Sequence, residues 1–402
     1  MIKRTLQELC LNITDGKHGD CENEENSGYY FISCKDIFDG QINYKKARQI
    51  TKADFEETHK RTMLEVDDIL LTNSGTIGRM AFVTDREATT KTTFQKSVAI
   101  IKPDKQKVLP RYLYYQLQNC VPQFINSSNG SAQKNLLLST MRTFQIEIEE
   151  NCEKQEKIAN TLFAYDDLIE NNQRQIKLLE EAAQRLYKEW FVDLRFPGHE
   201  NTKIVDGVPE GWNWCKLEDA IQFDPKVTLT KERMKQFIPM SALSTSSMVL
   251  DESQFTETTS NSGSKFQNGD TLLARITPCL ENGKTAYVSG LKSSEGAVGS
   301  TEYIVMRAKT INAYMVYLLA RTDDFRQSAI NSMSGSDGRQ RVKSDKLKML
   351  DYLHPTSELV EKFENVEEPI FEKIYRLSKQ MQQAKQARDL LLPKLMSGEV
   401  EV

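Results

Sequence analysis

Two stretches of the chain carry apolar residues at alternating steps of four and three, a spacing that predicts long helices packed against a partner helix. The first stretch continues for more than four heptads, and Asn172 is its one strongly polar member. We expect this asparagine to fix the register of the helix pair. The members are Ile158, Leu162, Tyr165, Ile169, Asn172, Ile176, Leu179, Ala183, Leu186 and Trp190.

The second stretch lies near the end of the sequence and contains one additional step of four. Its members are Leu359, Phe363, Val366, Ile370, Ile374, Leu377, Met381, Ala384, Arg388, Leu391 and Leu395. Pro369 lies beside the additional step, and because proline has no amide hydrogen it either kinks the helix or marks its start. We expect the two helices to pack on each other; the alternative is that each packs on its own domain.

The ~150 residues before each helix mix short apolar runs with turn residues. This pattern predicts strands at residues 98–101 and 303–306 and short helices at residues 111–117 and Ala313–Ala320. The fold class that follows is α+β, with mixed α/β domains and long helices.

The two halves of the chain also repeat each other. Residues 68–71 resemble residues 270–273 at an offset of 202, and residues 78–83 resemble residues 283–288 at an offset of 205. These offsets are close to 201 residues, which is half of the 402-residue chain. The sequence therefore predicts two copies of one unit, which form a pseudo-twofold internal repeat. The expected divisions are domains at residues 1–150 and 197–355, and helices at residues 151–196 and 356–402.

Charge and composition restrict the class of protein. The net charge is −4; residues 151–200 and 351–402 carry −3 each, whereas residues 1–150 and 201–350 carry 0 and +2. The longest wholly apolar or aromatic run has eight residues, and the N-terminal residues lack the apolar core of a signal peptide. We therefore expect a cytoplasmic protein with no membrane span. Seven scattered cysteines without CxxC spacing argue against a disulfide framework or a zinc site.

Motifs of known catalytic sites are missing from the sequence. We find no phosphate-binding GxxxxGK[ST] loop, no GxGxxG, no NPP or DPP of an amino-methyltransferase, no GxSxG and no HExxH. These absences lower the expectation of an enzyme.

Polar loops recur at matching places in both halves. Residues 73–79 contain glycines, whose backbone amides can form an anion nest, and Arg79, whose side chain can contact a phosphate. Residues 275–284 are their counterpart in the second half. A Gly-Ser loop at residues 130–135 is matched at residues 335–341 and carries side chains that read base edges. Plain connecting turns and solvated loops are the alternatives. The candidate DNA-binding residues are Lys17, His18, Asn73, Ser74, Arg79, Gln95, Lys96, Ser131, Gln133, Lys134, Asn135, Arg275, Lys284, Ser300, Ser336, Arg339, Gln340 and Arg341.

With these features the sequence resembles the specificity subunits of type I restriction–modification enzymes. The resemblance covers essentially the whole chain and rests first on the order domain, long helix, domain, long helix. The segments that carry it are residues 70–83 (LLTNSGTIGRMAFV), 270–288 (DTLLARITPCLENGKTAYV), 186–196 (LYKEWFVDLRF), 208–212 (VPEGW) and 390–399 (LLLPKLMSGE).

The resemblance implies two target recognition domains, each of which binds one half of a bipartite site in double-stranded DNA. It implies that the helices form an antiparallel coiled-coil spacer and that two methyltransferase subunits dock on this chain. Restriction subunits would join to form the nuclease. S-adenosylmethionine, ATP and Mg would then belong to those partners, and this chain would hold no cofactor and no catalytic residue.

Helix length gives a physical measure of the spacer. The 33 residues from Ile158 to Trp190 extend about 50 Å, which corresponds to about 14 base pairs. Two alternatives stay open at this stage. One is an enzyme whose motif is not recognisable, and the other is a coiled-coil scaffold with two protein-binding domains.

Overall fold

The computed structural model describes residues 1–84, 87–128, 134–335 and 338–401. The chain divides into two compact units, which are described separately. Unit 1 comprises Met1–Leu168 and Ala384–Val402, and unit 2 comprises Ile169–Gln383. Each unit contains one mixed α and β region and one segment of each long helix.

Unit 1 is built on two small sheets. The four-stranded sheet has the order β2-β10-β7-β8 and is antiparallel, and the three-stranded sheet has the order β6-β3-β9 with β3 and β9 parallel. The strands are β1 (Ile2–Thr5), β2 (Cys10–Asp15), β3 (Tyr30–Ile32), β4 (Ile37–Phe38), β5 (Gln41–Ile42), β6 (Arg48–Gln49), β7 (Ile69–Thr72), β8 (Met80–Phe82), β9 (Thr92–Phe94), β10 (Val98–Pro103) and β11 (Gln145–Ile148). The helices are α1 (Lys52–Thr62), α2 (Pro110–Asn119), α3 (Val121–Asn126) and α4 (Leu138–Thr143), followed by the long helix α5 (Cys152–Tyr187).

Unit 2 repeats this plan after a π-helical turn, Lys188–Val192. Its two four-stranded sheets have the orders β15-β22-β19-β20 and β17-β16-β21-β18, the second with β16 and β21 parallel. The strands are β12 (Ile204–Val205), β13 (Val208–Pro209), β14 (Asn213–Lys216), β15 (Ile221–Phe223), β16 (Lys235–Ile238), β17 (Thr256–Thr258), β18 (Ser264–Phe266), β19 (Thr271–Ala274), β20 (Thr285–Tyr287), β21 (Ala297–Gly299), β22 (Tyr303–Ala308) and β23 (Asp351–His354). The helices are α6 (Leu217–Ala220), α7 (Ala313–Ala320), α8 (Asp323–Asn331), α9 (Ser344–Lys348) and α10 (Ser357–Ser397).

The strand orders of the two units correspond, except that β18 has no counterpart in the three-stranded sheet of unit 1. The sheet β2-β10-β7-β8 corresponds to β15-β22-β19-β20, and the parallel pair β3–β9 corresponds to β16–β21. The pair β1–β11 corresponds likewise to β14–β23. The expected α+β class and internal repeat are confirmed. The expected strands lie within β10 and β22, and the expected short helices are α2 and α7.

A buried ion pair is repeated in the central sheet of each unit. In unit 1 the Lys102 ammonium lies 2.7 Å from Asp68, and in unit 2 Arg307 donates to both oxygens of Asp270 at 2.6 and 2.7 Å. The two aspartates are 3% and 1% exposed. The pairing offsets part of the cost of burying these carboxylates. Burial nevertheless raises the pKa of Asp68 to about 6.

The two long helices pack against each other in both units. In unit 1, Ile158 and Leu162 share a core with Leu395, near the far end of α10. In unit 2, the rings of Trp190 and Phe363 lie 5.3 Å apart, so the end of α5 meets the start of α10. The helices therefore run antiparallel within each unit, and the alternative that each packs only on its own domain is wrong.

Two positions of the expected seam need correction. Val366 is 43% exposed, whereas the next residue, Glu367, is fully buried and takes the inward position. Helix α10 begins at Ser357 and continues through Pro369, so this proline does not mark its start. Phe363 and Ile374 are 11 positions apart, which corresponds to three helical turns. Either Val366 or Glu367 can therefore take the inward position between them. The apolar pattern alone favoured the valine.

Both helices end before the expected limits of 196 and 402. Helix α5 ends at Tyr187 and its π turn at Val192, shortly before Pro197. Helix α10 ends at Ser397, where Gly398 adopts a φ of +76°. This left-handed conformation favours glycine and commonly ends a helix. The limits of the two α/β domains stay predictions.

Candidate functional site

In unit 1, three loops meet at the end of β7 and are joined by main-chain hydrogen bonds. The Asn73 amide donates to the Ser97 carbonyl at 3.1 Å, and the Leu136 amide donates to the Asn73 carbonyl at 2.8 Å. A β-bridge links Ser74 to Asn135. The structure therefore brings the loop after β7, the loop before β10 and the loop before α4 into one cluster, which contains predicted site residues from all three.

The same cluster forms in unit 2 at the end of β19. The Arg275 amide donates to the Glu302 carbonyl at 3.0 Å, and the Val342 amide donates to the Arg275 carbonyl at 2.9 Å. A β-bridge links Ile276 to Arg341. We call these two arrangements the strand-end clusters. The matching bonds show that three pairs of positions are equivalent: Asn73 and Arg275, Ser97 and Glu302, and Asn135 and Arg341.

The side chains at these equivalent positions differ in charge. Unit 1 has two asparagines and a serine, whereas unit 2 has two arginines and a glutamate. Arg341 donates to Glu302 through two nitrogens, Nε at 2.9 Å and Nη2 at 2.7 Å. This pairing lowers the pKa of the Glu302 carboxyl and raises that of Arg341. At these equivalent positions, one main-chain scaffold thus carries neutral side chains in one unit and charged side chains in the other.

Several polar atoms of the two clusters are buried without a partner. They are Oδ1 of Asn73, Nε of Arg275 and Oγ1 of Thr277, none of which has a hydrogen-bond partner within the described residues. Native proteins leave few buried polar atoms unpaired, and such groups are frequent at functional sites. Asn73 is only 5% exposed, so its side chain is less accessible than expected for a residue in a surface loop.

Lys17 and His18 lie beside the unit 1 cluster, but their side chains are already paired. The Lys17 amide and carbonyl bond to Phe94 and Lys96, which places residue 17 next to the loop before β10. Its ammonium lies 3.0 Å from Asp54 and 3.1 Å from Glu57, and these carboxylates raise its pKa. His18 Nε2 is 3.0 Å from Asp15. The charge of Lys17 is thus compensated within the unit.

Other candidates divide by accessibility. The exposed ones are Arg79, Lys96, Lys134, Asn135 and Arg339, while Ser74, Gln95 and Gln340 are half-buried. Lys284 is half-buried and donates to the Met240 carbonyl at 2.9 Å. Ser300 lines an open groove of about 460 Å³ with Gly299 and Thr301. Ser131, Gln133 and Ser336 lie outside the described residues.

Two participants were missed or undervalued at the sequence level. Neither Thr277 nor Glu302 was among the candidate residues. Glu302 and Arg341 are 39 residues apart, so spacing gives no sign of their pairing. The one available signal is the repeat, in which an acidic residue stands where unit 1 has Ser97. Among the described residues, no group of three or more His, Cys, Asp and Glu side chains could hold a metal ion.

The α/β part of unit 1 and most of α5 match a known protein family. Residues 3–181 match the family described as "Type I restriction modification DNA specificity domain". Helices that could cross a membrane are absent from the described part of the chain.

Two curated proteins and one solved structure extend the comparison. The type I restriction enzyme MjaIX specificity subunit of Methanocaldococcus jannaschii is 27% identical over 386 residues, which cover 92% of this chain and 87% of that protein. The EcoAI specificity subunit of Escherichia coli is 35% identical over 140 residues, 34% of this chain and 24% of that protein. The crystal structure of a type I S subunit from M. genitalium has a TM-score of 0.60 at 16% identity, covers 98% of this chain and 95% of that one, and shares the fold.

Proposed function

Because the chain belongs to the specificity subunits of type I restriction–modification enzymes, we propose that it selects the DNA sequence on which such an enzyme acts. Each α/β domain reads one half of a bipartite site in double-stranded DNA. The observation that carries this proposal is the pair of strand-end clusters, which hold different hydrogen-bonding side chains on one main-chain framework. Reading two different sequences requires this combination of a fixed scaffold and variable polar side chains.

The two long helices serve as the spacer between the half-sites. Helix α5 alone has 36 residues, about 54 Å of helix, which corresponds to about 16 base pairs. Antiparallel packing of the helices within each unit supports a stiff spacer, because paired helices resist bending better than linkers rich in glycine and serine. Two methyltransferase subunits dock on this chain, and restriction subunits join them to form the nuclease.

Catalysis belongs to these partners, and the chain itself is non-catalytic. S-adenosylmethionine, ATP and Mg bind to the partner subunits in this proposal. The polar clusters of the two units consist of amides, guanidinium groups and a paired carboxylate. These groups suit recognition of bases and phosphates rather than nucleophilic or acid–base chemistry.

Methylome sequencing tests the proposal directly. A host that carries this chain with its methyltransferase partner is compared with a host from which the chain is deleted. We expect one split adenine-methylated motif that disappears on deletion. If no motif depends on the chain, the scaffold alternative takes first place, and methyl transfer by the purified chain alone would favour the catalytic alternative.

A further inference from the structure

We propose that Arg341 reads a guanine in the half-site of unit 2 and that Glu302 is the positioning residue that holds its guanidinium for this contact. The inference rests on the proposed function and names a specificity-determining residue that the family resemblance does not supply. It depends on the donors that the ion pair leaves free, on the fixed main chain and on the comparison with unit 1.

The ion pair occupies one edge of the guanidinium and leaves another edge open. An arginine has five N–H donors, and Glu302 accepts from Nε and from one hydrogen of Nη2. Within the described residues, its only other hydrogen bond is a 3.4 Å approach of Nη1 to the Arg339 carbonyl. The end formed by Nη1 and Nη2 can therefore donate two parallel hydrogen bonds. Guanine O6 and N7 form the acceptor pair that arginine binds in this way.

The main chain at Arg341 is fixed on both sides. Its amide and carbonyl exchange two hydrogen bonds of 3.0 Å with Ser334, and it also forms the bridge with Ile276. The side chains of Arg341 and Glu302 are 42% and 25% exposed, so the arginine side chain is more accessible to solvent and DNA than the carboxylate that holds it. Ordering the guanidinium before binding lowers the entropy lost when DNA is bound.

A carboxylate in a DNA-binding surface needs a reason, because it repels phosphates. In unit 1 the position equivalent to Glu302 is Ser97, and the position equivalent to Arg341 is Asn135. The acidic residue thus occurs together with the arginine in unit 2. It is missing in unit 1, where an asparagine takes the place of the arginine. Asparagine binds adenine N6 and N7. A carboxylate that positions the arginine accounts for this joint change, whereas a surface ion pair contributes little to stability.

The test is methylome sequencing of the complete methyltransferase complex with single variants of this chain. For Arg341→Ala we expect one guanine position of one half-site to lose its preference about 10- to 100-fold, since a bidentate contact is worth about 1–3 kcal/mol. Arg341→Lys keeps the charge but not the planar fork and should relax the same position. Glu302→Gln should relax it partly, and Glu302→Asp should restore more of it.

Matched variants separate this role from a structural one. Arg233 forms an exposed ion pair with Glu295 at 2.9 Å in the same unit, and Arg233→Ala should leave every motif position unchanged. Asn135→Ala should alter only the other half-site. If the wild-type complex yields no motif, the proposed function fails. If it yields a motif and all Arg341 variants keep the same preference at every position, or relax both half-sites equally, the assignment of Arg341 is wrong.

Discussion

Glu367 is a fully buried carboxylate on the inward side of α10, and neither oxygen has a hydrogen-bond partner within the described residues. Burial alone raises its pKa from 4.5 to about 7. The apolar pattern could not predict this residue, since charged side chains almost never occupy such positions unpaired. The same limit applies to Glu302 and Arg341, whose pairing depends on loop geometry rather than on sequence spacing.

Glu367 should make unit 2 less stable as the pH rises. Its pKa is higher in the folded than in the unfolded chain, so its protonated form favours folding below about pH 4.5, and this contribution is lost as the pH passes through about 7. Glu367→Gln removes the ionisation, and at pH 8 we expect it to raise the free energy of unfolding by up to about 3 kcal/mol. Denaturant unfolding at pH 5 and pH 8 measures this difference.

The neighbouring Glu368 offers a matched control because its side chain is exposed. Glu368→Gln should change the free energy of unfolding by less than about 0.5 kcal/mol at either pH. Equal effects of the two substitutions at pH 8 would show that Glu367 is not ionised in a buried site.

At the scale of elements, the helices and the longer strands were predictable, and the short strands were not. Helix α7 and the strands β10 and β22 follow from apolar runs of four to eight residues that are bounded by turns. Strands such as β4 and β6 have two residues each, which is too short for any periodicity. They form because tertiary contacts pair them. The pairing of the helices was predicted because the seam is long, whereas their antiparallel direction followed from the family resemblance. The error at Val366 lies where that seam changes phase.

Asn172 is a polar residue inside this helix pair, 2% exposed, whose amide donates to Gln380 at 3.2 Å. Replacing a buried seam asparagine by leucine removes a polar group from an apolar contact and generally stabilises the pair while weakening its register. We therefore expect Asn172→Leu to raise the free energy of unfolding by about 1 kcal/mol. Thermal and denaturant unfolding measure this, with the exposed Asn171→Leu as control. A loss of stability in Asn172→Leu alone would show that its hydrogen bond outweighs its burial cost.

The length of the helices gives a second prediction for the spacer. Insertion of one heptad into both α5 and α10 adds about 10 Å of helix, or about three base pairs of DNA. The methylated motif should keep both half-sites and gain about three unread positions between them. A motif with an unchanged gap would contradict the role of the helices as the spacer.

For the whole molecule, charge predicts how the chain binds DNA. The net charge is −4, and the cation of Lys17 beside the unit 1 cluster is already compensated. Few free phosphate contacts release few counterions, so the purified chain should bind its target weakly and lose that binding at modest salt. Titration with labelled DNA, with and without the methyltransferase subunits, measures the difference. Tight, salt-resistant binding by the chain alone would contradict this expectation.

The duplication predicts that the two half-sites are independent. When residues 1–150 are exchanged for the corresponding residues of a relative with another target, one half of the methylated motif should change and the other should stay. The methylome of the hybrid complex measures both halves at once. A change in both halves would show that the two domains do not read separately. The repeat that supports this prediction was recognisable in the sequence because its order and offset are kept across both halves.

The main-chain bonds of the strand-end clusters have an evolutionary consequence. Amides and carbonyls, not side chains, join Asn73 to Leu136 and Arg275 to Val342. Substitution at the exposed tips therefore leaves these bonds in place, and a new side chain costs little folding free energy. Mutations that change what is read are then mostly tolerated by the fold. When phages lose one target site, a lineage under attack can acquire recognition of another site by few substitutions. It does not first need a more stable protein.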